Sequence, residues 1–190
     1  MKYAKKIQLP VDFDSIQITR KIQTLTTSNE NLAKFDVFYI KQSDVSLIKS
    51  ALPVQAQKNL LSVLATKYSL LSPHIHLKEK SVINFYKKVN GEVTTFYEGN
   101  IVRDYSINND SGNLHVIKLD GIVPCEQLCA EQGDLWIMDT TQPHSVTIKG
   151  DSRSGIDKYF ASDHQERLLI QMYFDVPYAQ LLQWFENEVC

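Results

Sequence analysis

Gly133-Asp134-Leu135-Trp136-Ile137-Met138-Asp139-Thr140-Thr141-Gln142-Pro143-His144-Ser145-Val146 is the stretch whose reading decides the fold. Gly-Asp opens a short apolar run, Leu135 to Met138, with the length and composition of a buried strand. The polar connection after it ends in Pro143, which delivers His144 at the head of a second strand, Ser145 to Ile148. Upstream, Ser72-Pro73-His74-Ile75-His76 carries two more imidazoles; downstream, Arg167 opens the apolar run Leu168 to Phe174. Strand residues i and i+2 point the same way, so His74 and His76 share one face. His144 lies 144 − 76 = 68 positions beyond His76. A rolled β structure is what brings so distant a turn beside the first strand.

The texture around this stretch is that of short strands between turns. Candidate strands are Ile75 to Leu77, Val82 to Tyr86, Val93 to Tyr97, Leu114 to Leu119, Leu135 to Met138, Val146 to Ile148 and Leu168 to Phe174. Turns fall at Asn90-Gly91, Gly99-Asn100, Asn108 to Gly112, Asp120-Gly121, Gln132-Gly133 and Gly150 to Gly155. That spacing argues for a sandwich or jelly roll over a parallel α/β sheet. Nearer the amino terminus, Lys5 to Leu9 reads as a strand ended by Pro10. Ser15 to Leu25 reads as a helix, with Ile18, Ile22 and Leu25 at helical spacing. Phe35 to Ile40 is a strand, and a helix begins at Ser43 or Asp44. A second helix is expected from Gln55 to Thr66, with Leu60, Leu61 and Leu64 as its stripe, and a last one from Pro177 to Val189. No internal repeat or linker interrupts the 190 residues. They read as a single mainly-β α+β domain, 1–190, with its β core at 70–174 and flanking elements at 1–69 and 175–190.

Composition bounds the function. Apolar residues make up 43% and charged residues 22%, which is ordinary for a folded chain. A net charge of −2 provides no field to attract nucleic acid or an anionic membrane. No run approaches the roughly 20 apolar residues of a membrane span, and the basic start Met1 to Lys6 lacks the apolar segment of a signal peptide. Three cysteines do not make a disulfide framework, and Cys125 and Cys129 lack the second pair of a structural zinc set. A cytoplasmic setting is expected.

Two imidazoles from one strand and a third from a distant turn form half of an octahedral metal shell. Imidazole suits iron, copper, nickel and zinc alike, so the ligand type does not choose the ion. His115, alternating with apolar residues, and His164, in a polar loop, read as non-ligands. On the last strand, alternation puts Arg167, Leu169, Gln171 and Tyr173 on one face and Leu168, Ile170, Met172 and Phe174 on the other. The wholly apolar set suits burial under helices, and the mixed set suits a wet pocket. Asn84 and Tyr86 oppose Ile83 and Phe85 in the same way. An arginine in such a pocket can hold a carboxylate through two parallel hydrogen bonds, although an ion pair with Glu166 or Asp163 at the strand start is an equal reading.

Together these residues resemble the iron(II)/2-oxoglutarate-dependent dioxygenases, whose double-stranded β-helix is related to the cupins. The resemblance runs from Ser72 to Phe174. Ser72 to His76 and the hairpin after it look like the first metal strand, Gly133 to Val146 like the distal-histidine turn, and Arg167 to Ile170 like the co-substrate strand. It implies a jelly-roll fold and a metal site of His74, His76 and His144 holding iron(II) or another divalent transition metal. It also implies 2-oxoglutarate as co-substrate, with Arg167 on its far carboxylate, Tyr86 and Tyr97 assisting, and Asn84 lining the site. The substrate would be a small molecule or a peptide side chain. One departure is visible: His76 stands where the family has a carboxylate. Two other readings stay open, a cupin-like metalloprotein that does not use 2-oxoglutarate and a non-catalytic β-helix binding module.

Overall fold

The computed structural model describes residues 1–26, 34–68, 70–109, 112–117, 120–150 and 167–187. The expected turns at 27–31 and 151–155, His164, and Asp163 and Glu166 lie outside the described residues, as does the side chain of His115. In order come β1 (Ala4–Lys6), a 3-10 turn (Phe13–Ser15), β2 (Ile18–Thr26), β3 (Lys34–Ile40), α1 (Gln42–Ser50) and α2 (Val54–Asn59). Then follow β4 (Leu60–Tyr68), β5 (Leu71–His76), β6 (Ser81–Lys88), β7 (Glu92–Gly99), β8 (Arg103–Asn109) and β9 (Gly112–Ile117). The chain continues through β10 (Ile122–Leu128), β11 (Leu135–Asp139), β12 (His144–Ile148), β13 (Arg167–Phe174) and α3 (Tyr178–Asn187).

Two antiparallel sheets face each other. One runs β1-β11-β6-β13-β4-β3-β2, the other β10-β7-β12-β5-β9-β8. Hydrogen-bonded neighbours are mostly distant in sequence: β6 lies between β11 and β13, and β12 between β7 and β5. From β4 to β7 the chain alternates between the sheets, and from β10 to β13 it does so again, each pass slotting beside the first. That winding is a double-stranded β-helix. The expected jelly roll is therefore the fold, with β1, β2 and β3 widening one sheet and the β8–β9 hairpin the other.

The faces of β13 divide as alternation requires. Ile170, Met172 and Phe174 point outward into an apolar cluster with Ile83, Phe85, Ile137, Ile48, Leu52, Ala56, Leu181 and Phe185. The helices thus pack outside the seven-stranded sheet. Fully burying side chains such as Leu181 and Phe185 of α3 contributes roughly 1.5–3 kcal/mol each. The opposite face looks between the sheets, where Leu169 packs with Tyr86, Leu71 and Val146.

Two expected helices are corrected. Ile18–Thr26 is a strand, and only Val54–Asn59 of the second is helical, with Leu60–Tyr68 extended. The reason is the same in both places. The β2–β3 ladder shifts register between Ile18 and Lys21 and again between Lys21 and Gln23, and the β4–β13 ladder shifts beside Leu60. Each bulge inserts a residue, resets the two-residue alternation and leaves a spacing that mimics a helix. Val63 and Ala65 face the outer cluster while Thr66 faces inward, so the β core begins with β4 at Leu60 rather than at 70. The other expected helices and strands overlap observed ones, although β5 starts at Leu71 rather than Ile75 and β1 ends at Lys6 rather than Leu9; β8 and β10 were not anticipated. Among the described residues no helix is long and apolar enough to cross a membrane.

Candidate metal centre

The six-stranded sheet holds all three imidazoles. His144 on β12 pairs directly with His74 on β5, and the β5–β12 ladder slips between that pair and Leu71–Val146. Pro73, which has no N–H to donate, sits inside the slip, and Pro143 immediately precedes β12. The two triplets, Ser72-Pro73-His74 and Gln142-Pro143-His144, carry the same bond. His74 Nδ1–H donates to the Ser72 carbonyl at 2.8 Å, and His144 Nδ1–H to the Gln142 carbonyl at 2.9 Å. A carbonyl only accepts, so in both rings Nδ1 carries the proton and Nε2 keeps its lone pair.

His76, two residues beyond His74, completes the cluster. Ring centroids are 4.2 Å apart for His74 and His144, 5.3 Å for His74 and His76, and 5.6 Å for His76 and His144. One ligand atom from each ring lies within 4.8 Å of the others. Ligands of one divalent ion, with bonds near 2.1 Å, stand roughly 3–3.5 Å apart, so small ring rotations would close the set. The protonation states fit as well. Burial holds His74 well below the usual imidazole range, reinforced by the neighbouring His144 and His76 rings and by Arg167. Burial, His76 and Arg167 push His144 down to about 3, although its carbonyl bond acts in the opposite direction. Both rings are neutral near pH 7, the state in which imidazole binds a metal.

Across the interior, the seven-stranded sheet presents a polar wall. Gln171 on β13 donates to Asn84 Oδ1 at 2.9 Å, and its Oε1 accepts from Thr66 Oγ1 at 2.5 Å and from Tyr173 OH at 2.8 Å. Asn84 Nδ2 and Tyr86 OH both point at the Met138 sulfur, at 3.2 and 3.8 Å. Arg167 is 2% exposed and lies over the Tyr86 ring at 5.8 Å. Its charge reaches His74 and His144, so the arginine and the imidazoles share one interior.

Tyr97 is a correction. On β7 it is Phe96 that pairs with His144 and faces inward; Tyr97, the next residue, faces outward. Its ring packs with Ile75 and Ile122, and its hydroxyl shares a 2.8 Å hydrogen bond with Ser145. Strict alternation along β7 decides this, and only the pairing partner, invisible in the sequence, sets its phase. Cys125 and Cys129 are free, exposed and no part of the histidine cluster.

The interior is a double-stranded β-helix with three converging imidazoles. Two solved structures of the Escherichia coli ribosomal oxygenase YcfD are similar to this chain, each at 11% identity over 79% of its length. They give TM-scores of 0.42 and 0.40 and are covered over 34% and 36% of their own lengths, so this chain spans about a third of that protein. No protein-family model matches the sequence, and no curated protein does.

Two residues escape the sequence reading: Thr66, in the polar wall, and Glu79, beside His76. Thr66 was assigned to a helix. Glu79 was given no role, although its position three residues after His76 is a signal, given the carboxylate missing at 76. Burial raises the Glu79 carboxyl, but the His76 ring beside it and Lys78 outweigh that and hold it below the usual range.

Proposed function

We propose that this chain is a metal-dependent oxygenase of the iron(II)/2-oxoglutarate type, built on a three-histidine site. The observation that carries the reading is the convergence of His74, His76 and His144, two of them with Nδ1 occupied by a carbonyl and Nε2 left to bind. In this reading the three imidazoles hold iron(II) or another divalent transition metal. With 2-oxoglutarate and oxygen bound, such a centre supplies the oxidising chemistry of the class. The chain's own residues bind and orient. Arg167 is a buried guanidinium over the Tyr86 ring, and its planar fork is shaped to hold an anionic co-substrate's far carboxylate. Tyr86 flanks the guanidinium, and Asn84 and Gln171 give the opposite wall fixed hydrogen-bonding groups. The substrate is a small molecule or a peptide side chain.

His76 favours a second reading. Three neutral ligands leave the full charge of a divalent ion uncompensated, as in cupin-like metalloproteins that do not use 2-oxoglutarate. One experiment separates the two. Iron(II) binding is measured by calorimetry on wild type and His144→Ala, and succinate release is followed with iron, ascorbate, oxygen and 2-oxoglutarate, adding His76→Asp. Binding lost in His144→Ala together with succinate release supports the oxygenase. Iron binding without 2-oxoglutarate binding or turnover, in wild type and in His76→Asp alike, supports the cupin-like reading. Absence of iron binding in wild type sinks both.

A further inference from the structure

The third imidazole is held differently from the other two. Among the described residues the Nδ1 of His76 meets no carbonyl; it faces Glu79 Oε2 at 3.7 Å, and both side chains are mostly buried, at 14% and 12% exposure. Glu79 does not arrive there by chance of a loose loop. Thr140, from the connection that leads to His144, donates through its hydroxyl to the Glu79 carbonyl at 2.5 Å and through its N–H to the Lys80 carbonyl at 3.4 Å. The Thr140 carbonyl in turn accepts the His76 N–H at 2.9 Å, and Lys80 N–H donates to Phe174 at 2.9 Å. The turn bearing Glu79 is therefore tied both to the strand of His76 and to the segment that carries His144. Of the two lysines that flank Glu79, Lys80 is engaged elsewhere, 2.9 Å from Asp175, and Lys78 adds its charge to the hold on the Glu79 carboxylate. Tyr173 lies alongside the His76 ring, centroids 6.3 Å apart and planes 28° from parallel.

We propose that Glu79 is a positioning residue of this centre. Its carboxylate receives the Nδ1–H of His76, turns Nε2 toward the other two imidazoles, and supplies one step outside the ligand set the negative charge that the set itself lacks. The proposal rests on the metal-site reading above. An imidazole whose far nitrogen is hydrogen-bonded to a carboxylate is a more basic ligand with a fixed orientation. The present 3.7 Å is an ion-pair separation, and about half an ångström of side-chain movement brings it to hydrogen-bond length. The competing account is an ordinary ion pair between neighbours three apart, with no effect on the centre.

The test uses zinc and cobalt(II) as probes on the full chain, with calorimetry for affinity and the visible absorption of cobalt(II) for ligand geometry. Variants are Glu79→Gln, which keeps the shape and an acceptor but removes the charge, and Glu79→Ala. Affinity is expected to fall about 10- to 100-fold in Glu79→Ala, less in Glu79→Gln, with an altered cobalt spectrum in both. Urea unfolding of the ion-free protein should be unchanged in Glu79→Gln. Wild-type affinity and spectrum in both variants, with wild type itself binding, would overturn the role of Glu79 and leave the metal site standing. A wild type that binds neither ion would overturn the site and this role together.

Discussion

The two walls of the interior are polar by different means. On the six-stranded wall, His74 and His144 are fixed by backbone carbonyls two residues back, each behind a proline. On the seven-stranded wall, Thr66, Asn84, Gln171 and Tyr173 are fixed by one another. A side chain held by its own backbone keeps its direction whatever its neighbours do. One held in a network of side chains can exchange partners when a ligand arrives, and the loss of one member is felt by the others. The first arrangement suits groups that must converge on a point, the second groups that must accommodate a molecule. Arg167 belongs to the second wall by sequence and to the first by charge.

That double membership gives the largest expected effect. Arg167→Ala should weaken 2-oxoglutarate binding about ten- to a hundredfold, the loss of a charge-assisted contact of roughly 1.5–3 kcal/mol, while metal affinity changes little. Arg167→Lys should recover only part, because a point charge does not reproduce the fork. Calorimetry with each ligand in turn checks both halves. A parallel collapse of metal affinity would mean that the walls are not separable.

Acid should act through the imidazole wall. In the unfolded chain His144 titrates near 6.5, and in the fold it is pushed down to about 3. Between those values the unfolded chain takes up a proton that the folded one refuses. This contribution is therefore harmless above about pH 6.5 and destabilises increasingly as pH falls toward 3. At pH 5 the loss is about 2 kcal/mol from this one residue. Urea unfolding of ion-free protein at pH 7 and pH 5 reads it on top of the contribution that buried His74 makes in the same direction, and His144→Gln should reduce the difference by about that amount without abolishing it. Equal stability at both pH values would contradict the burial of a neutral ring.

The polar network predicts a smaller effect on the other wall. Thr66→Val removes one donor from Gln171 Oε1, which retains Tyr173 OH. Stability should fall by about 0.5–1.5 kcal/mol, with metal affinity untouched. A tenfold change in metal affinity would show the network reaching the imidazoles.

How far these features could be read from the chain depended on phase. His74 and His76 were legible because i and i+2 on a strand cannot separate, and the two faces of β13 because the register shifts of its ladders fall only near its two ends, at Leu168/Leu169 and Tyr173/Phe174. His144 was legible through its proline. Thr66 was not, since the shift beside Leu60 hid the strand, and Tyr97 was placed on the wrong face because a strand's phase is set by the partner it meets. Glu79 was hidden for another reason. The contacts that place it come from Thr140, sixty-one positions away, and no local pattern announces them.

Pro143 offers the smallest and most discriminating test of the backbone-held wall. Proline fixes its own φ and keeps Gln142 extended, which aims the Gln142 carbonyl at His144 Nδ1. In the folded protein, however, that segment is held twice more: Tyr97 N–H donates to the Pro143 carbonyl at 2.9 Å, and Gln142 Nε2 donates to the Tyr97 carbonyl. Tyr97 thus serves the centre through its backbone although its ring faces away. With those bonds in place, Pro143→Ala should act chiefly by freeing the unfolded chain, at a cost of about 0.4–1 kcal/mol in stability. Metal affinity should stay within about twofold, a change of roughly 0.4 kcal/mol. Urea unfolding and zinc calorimetry on the same preparation read the two quantities side by side. Unchanged stability with a tenfold weaker ion would reverse the assignment: proline, rather than the β7 backbone, would then be what holds His144 in place.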